Sequence, residues 1–245
     1  MILNAPAALA APGEILESDT AELMEQGMIS LAIGGKFGEQ HDGDSLYIFP
    51  SIKARIGTGG VGESMIEFNL GQVEEDGRIK GYDVERLLLA QKFVIWKPAD
   101  PQKPSFAARF GVRLPADDAS KGLGNDQTDF FARGIFSGRL KNVEYRANFG
   151  IGILGKINEV RGQDDVFEYS TAFIGKLGSK GHWMLEMSGN ALTKDHPSQR
   201  FATFGFGLCD DRKRQGVELA ASFGLSDSSD DYRISAAWLT EVKWF

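Results

Sequence analysis

The chain has a single cysteine, Cys209, and only three histidines, His41, His182 and His196. One thiol excludes an internal disulfide and any multi-cysteine metal site. No two histidines fall at metal-ligand spacing, so neither a metal nor a cofactor is expected. No apolar run approaches the ~18 residues of a membrane-crossing helix, and helical periodicity is almost absent. Lysine and arginine number 27 against 34 aspartates and glutamates, for a net charge of −7. No basic cluster is long enough to mark a nucleic-acid surface. Arg212-Lys213-Arg214 follows Asp210-Asp211 and reads as a short turn.

What is present is glycine, phenylalanine and alternation. The 245 residues include 30 glycines and 17 phenylalanines. Glycine suits tight turns and crowded walls, and phenylalanine suits a lipid-facing surface. About twelve segments alternate apolar and polar residues with period two, separated by turn-rich stretches. Phe106, Ala108, Phe110, Val112 and Leu114 oppose Arg109, Gly111 and Arg113. Val143, Tyr145, Ala147, Phe149 and Ile151 oppose Glu144, Arg146, Asn148 and Gly150. Two segments are less clean: Leu87-Leu88-Leu89 blurs one, and Phe131 and Ile135 interrupt another.

Alternation alone also fits a soluble β-sandwich. Two details favour a membrane barrel, whose strands need only ~9–11 residues each. The apolar faces are aromatic, with Trp183, Trp238 and Trp244 near segment ends, where interfacial belts lie. Connections also alternate in length if the N-terminus is periplasmic. The outward set holds Glu39–Ser45, Glu74–Lys80, Ala116–Gln127, Asn158–Asp165, Thr193–Gln199 and Ser226–Asp231. The periplasmic set is mostly shorter, apart from the proline-rich Lys97–Ser105. The expected fold is therefore all-β: a transmembrane, antiparallel, up-and-down β-barrel of about twelve strands spanning residues 28–245. Residues 1–27 form a lead-in. In it, Ala8-Leu9-Ala10 resembles a signal-cleavage site, and a disordered start accounts for it equally. Ser18-Asp19 could cap a short helix through Ala21–Met24, tucked into the periplasmic mouth; a plain extended lead-in fits as well.

Gly57-Thr58-Gly59-Gly60-Val61-Gly62 matches G-x-G-x-x-G, but a strand follows where the dinucleotide fingerprint needs a helix. A hairpin turn is expected. His182, Ser188 and Asn190 share a polar face, yet six residues at ~3.3 Å each separate His182 from Ser188, beyond the reach of a catalytic pair. No catalytic residue is assigned. The charges on the polar faces are the notable constellation. Lys53, Arg55, Arg109, Arg113 and Arg133 lie mostly on earlier strands. Glu144, Glu168, Glu186 and Glu218 lie on later ones, with Arg146 among them. Charges away from bulk water must be paired or hydrated. They either lock into ion pairs that plug the lumen or line a water-filled constriction that binds solute.

Leu114-Pro115-Ala116-Asp117-Asp118, the Lys121-Gly122-Leu123-Gly124 loop and Thr128-Asp129-Phe130 resemble the outer-membrane family of meta-pathway phenol-degradation proteins. The likeness extends from Glu22 to Phe245, with Ala116 replacing the usual glycine. It implies a barrel in the outer membrane of a Gram-negative bacterium that passes small, often hydrophobic or aromatic, compounds. It supplies no catalytic residues. The expected function is a channel or passive uptake pore for small molecules, with lipid and solutes as partners. The barrel-assembly machinery would read Trp244 and Phe245, and the register leaves open which of the two faces lipid. The alternatives are a closed structural or adhesive barrel acting through its loops, and an outer-membrane hydrolase.

Overall fold

Period-two alternation commits each segment to two opposite faces, and a sheet with one apolar and one charged face must separate two environments. In the computed structural model that separation is between an outer surface and a lumen. The structure describes residues 12–39, 43–60, 62–100, 102–116, 121, 123, 127–155, 163–192, 198–210 and 212–244. Phe245, the signal-like residues, His41 and His196 lie outside the described residues.

Twelve strands follow in chain order: β1 (Met28–Glu39), β2 (Ser45–Gly59), β3 (Gly62–Glu75), β4 (Arg78–Trp96), β5 (Ser105–Arg113), β6 (Asp129–Leu140), β7 (Val143–Gly155), β8 (Gln163–Leu177), β9 (Gly181–Leu192), β10 (Arg200–Asp210), β11 (Gln215–Gly224) and β12 (Tyr232–Lys243). Each pairs antiparallel with its sequence neighbours, and β1 pairs with β12, so the sheet is a closed barrel. The closing seam is complete, from Met28 opposite Lys243 to Glu39 opposite Tyr232. Closure leaves no free edge.

The outer surface is apolar. Phe110, Phe130, Ile151, Met187, Leu208 and Leu219 are each more than half exposed, the arrangement of a lipid-facing band rather than a water-facing one. Trp96, Trp183 and Trp244 lie at the end of the barrel where β1 begins and β12 finishes. Trp244, 64 % exposed, faces outward. Trp238 sits mid-strand, opposite Ile33, rather than at a rim.

The connection between β3 and β4 is shorter than expected. β3 and β4 are joined by Asp76-Gly77 alone, both with positive φ (53° and 69°), the backbone of a tight two-residue hairpin. Both strands therefore extend further than the Glu74–Lys80 loop implied. The G-x-G-x-x-G stretch is the expected hairpin: Gly59 and Gly60 have positive φ between β2 and β3. Gly57 has a further reason to be glycine. A Cβ there would lie 2.0 Å from the carbonyl oxygen of Glu25, because the lead-in crosses the wall at that point.

Candidate functional site: the occupied lumen

The lead-in is neither a helix nor a simple approach to β1. No α-helix occurs among the described residues. From Pro12 the chain runs inside the barrel, rising from the end where β1 begins to Glu17 and returning to β1. Glu14, Ser18, Asp19, Thr20 and Ala21 are all at most 5 % exposed. Two apolar anchors fix the path. Leu16 packs with Ala172, Ile174 and Met184, and Ala21 packs with Ala107 and Ile135.

A segment inside a barrel has no strand partner, yet its backbone N–H and C=O groups still need partners. The wall supplies them from side chains. Glu218 accepts from the N–H of Gly13 (2.6 Å) and Ile15 (3.3 Å). Glu186 accepts from Glu17 (3.0 Å) and Ser18 (2.7 Å). Asn148, Ser137 and Glu63 accept from Asp19, Ala21 and Met24. In the other direction, Arg146 donates to the carbonyls of Pro12 (2.5 Å) and Ser18 (3.3 Å), Lys53 to Glu14 (2.8 Å) and Lys92 to Thr20 (3.1 Å). These commitments explain why no helix forms: the carbonyls of Ser18, Asp19 and Thr20, which would accept the first helical bonds, accept instead from Arg146, Asn148 and Lys92.

The centre of the arrangement is Asp19. Its carboxylate lies 2.9 Å from Arg55, 2.9 Å from Arg109 and 3.5 Å from Lys92. Arg55 also meets Glu14 at 3.1 Å, and Lys92 meets Glu63 at 2.9 Å. Three cations and three carboxylates thus share a nearly dry volume, where breaking a pair from one side is costly.

The ten residues expected in the lumen all point inward, and they divide by task. Lys53, Arg55 and Arg109 meet carboxylates or carbonyls of the lead-in, and Glu186 and Glu218 take its amides. Arg146 holds its carbonyls while accepting support from Glu144 at 2.7 Å. Arg133 bridges Glu168 (2.6 Å) and the carbonyl of Glu17 (3.2 Å). Arg113 pairs with Asp129 on the adjacent β6. The basic wall therefore faces the segment's carboxylates, and the acidic wall faces its amides. Glu14, Glu17, Asp19, Glu63 and Lys92 were not anticipated. The first three lie in a stretch without periodicity, and Lys92 lies in the strand whose leucine run hid its face. His182 turns to Glu218 (3.0 Å), not toward Ser188, which lines the opposite half.

Toward the loop end the described residues leave open space in the lumen. A cavity of about 440 Å³ lies above the lead-in, bordered by Glu14 to Glu17 below and by Gln199, Asp230 and Arg233 near the mouth. A second, of about 320 Å³, adjoins it against β4–β8 and shares Glu17, Arg86, Arg133 and Glu168 with it.

Together these features define a class: a twelve-stranded barrel whose own N-terminal segment occupies one half of its lumen. No protein-family model matches the chain, and no curated protein matches it. Among solved structures it is similar to an outer membrane channel from Pseudomonas putida F1, with a TM-score of 0.70 at 9 % identity over 91 % of this chain and 98 % of that one. It is also similar to the NanC porin, with a TM-score of 0.61 at 8 % identity over 88 % and 100 %. At such identities the likeness carries the fold.

Proposed function

We propose that the protein is an outer-membrane channel for small molecules, held closed by its lead-in. The observation that carries this reading is the division of the lumen. The wall leaves a cavity of about 440 Å³ open toward the loops, and the other half is filled by a segment that belongs to no strand. A barrel serving only as a scaffold can fill its interior with wall side chains; here the filler is a separate piece of chain. The apolar outer band supports a lipid environment, and the two neighbouring structures, an outer membrane channel and a porin, support the channel reading. The family resemblance in the Leu114–Phe130 region adds hydrophobic or aromatic compounds as the solute class.

The ion pairs around Asp19 favour a second reading, a permanently closed barrel acting through its loops. Planar-bilayer recording separates the two. The full chain should show low or intermittent conductance. A variant lacking residues 1–24, and the full-length Asp19→Ala variant, should show larger and steadier steps. Silence from all three, with folding verified by heat-dependent gel mobility, would refute the channel.

A further inference from the structure

The smaller cavity combines a hydrocarbon wall with more guanidinium than carboxylate groups, whereas the larger one has acids in excess of its bases. Its hydrocarbon lining comes from Leu88 and Ala90 on β4, Phe131 on β6, Leu154 on β7 and Val166 on β8. These residues place apolar surface on the lumen side, as Ala107, Ile135, Ile174 and Met184 do beneath the lead-in, but here no chain segment covers it. Beside them stand four guanidinium groups, Arg86, Arg109, Arg113 and Arg133, against two carboxylates, Glu17 and Glu168.

The acids that balance three of these arginines lie outside the lining: Glu67 (3.3 Å) and Glu85 (3.5 Å) for Arg86, Asp19 for Arg109 and Asp129 for Arg113. Asp19 and Asp129, partners of Arg109 and Arg113, have side chains only 3 % and 0 % exposed. Each arginine carries five N–H donors, and these pairings use few of them. The terminal nitrogens, not the Nε–H groups of Arg86 and Arg113, which are buried and without a hydrogen-bond partner among the described residues, are the donors left for a ligand. A hydrocarbon wall beside four guanidinium groups, in a cavity of about 320 Å³, has the size of a small-molecule site with a few polar groups to orient its ligand. The charge decides the sign of the ligand, and the hydrocarbon decides its body.

We infer that this cavity binds an apolar organic anion: one carboxylate, or a comparable oxyanion, on an aromatic or branched hydrocarbon body. The anion meets Arg109, Arg113 and Arg133, and the body lies against Leu88, Phe131 and Val166. The inference rests on the channel reading, since it names the solute class that the vestibule concentrates before passage.

The test is calorimetric titration of the refolded full chain in detergent with three probes: benzoate, its neutral isostere benzamide, and acetate, which has the charge without the body. Benzoate should bind with one saturable site and at least tenfold more tightly than either control. Arg133→Gln should weaken benzoate at least tenfold. Ala90→Trp, which fills the cavity and leaves the arginines in place, should abolish binding. Equal binding of the three probes, no benzoate binding, or unchanged benzoate binding in Ala90→Trp would overturn the inference. Conductance of the variant lacking residues 1–24, recorded in parallel, keeps the two readings apart. Conductance without benzoate preference overturns the site and leaves the channel. Benzoate binding without conductance leaves the site and overturns the channel.

Discussion

The two halves of the lumen are built from the same wall and end in opposite states. At the end where β1 begins, Arg55, Lys92, Glu186 and Glu218 are closed over by residues 12–24, and little of them meets solvent. Toward the loops, Arg86, Arg133 and Glu168 keep about a fifth to a third of their side-chain surface exposed around the cavities. Inward charge by itself therefore neither opens nor plugs a barrel. What decides is whether a piece of chain uses that charge for its own backbone. The difference also predicts where energy is concentrated. In the filled half a lost partner leaves charges stranded away from water. In the open half water replaces it.

Asp19→Ala should break the contrast most strongly. It removes one carboxylate from three cations in the dry half, a change on the order of 3–5 kcal/mol against docking of the segment. Limited proteolysis between residues 12 and 27 should become at least tenfold faster, while the barrel keeps its heat-dependent gel mobility. Glu218→Ala should cost about 1–3 kcal/mol, because the amide of Gly13 and the His182 ring lose their shared acceptor; the same proteolysis assay reads it. Ser137→Ala removes the acceptor for the Ala21 amide and the hydroxyl partner of Thr20 and should cost roughly 1 kcal/mol, with a correspondingly smaller rise in cleavage. Glu168→Gln sits in the open half. Its partly exposed pair with Arg133 is worth about 0.2–1 kcal/mol, and denaturant titration should show a shift near the resolution of the method. Should Glu168→Gln destabilise the protein as much as Asp19→Ala, the two halves would not differ as described.

The strands could be read from alternation because a barrel wall has only two faces, and one of them is lipid-like along its whole length. The inward position of Lys53, Arg109, Glu186 and the other charged residues followed from the same period. The two irregularities carried information as well. Leu88 and Phe131 broke the pattern because the wall is apolar on both sides there, and both line the smaller cavity. Ile135 broke it because it packs under Ala21. The inward lead-in could not be seen this way. Its residues have no repeat, and the partners that hold Gly13, Glu17 and Asp19 lie more than a hundred positions away in the chain or on three separate strands. Ser18-Asp19 carried a genuine helix-cap signal, and the pull of Arg55 and Arg109 on the carboxylate overrode it.

The most direct test of this account is hydrogen exchange on the refolded full chain, followed on the amides of residues 13–21. Docking by the wall predicts that Gly13, Glu17, Ser18, Asp19 and Ala21 exchange slowly, within the range of the strand amides, and that Asp19→Ala speeds their exchange while the strands stay protected. Exchange of those five amides at the rate of an unstructured peptide in the unaltered protein would contradict it.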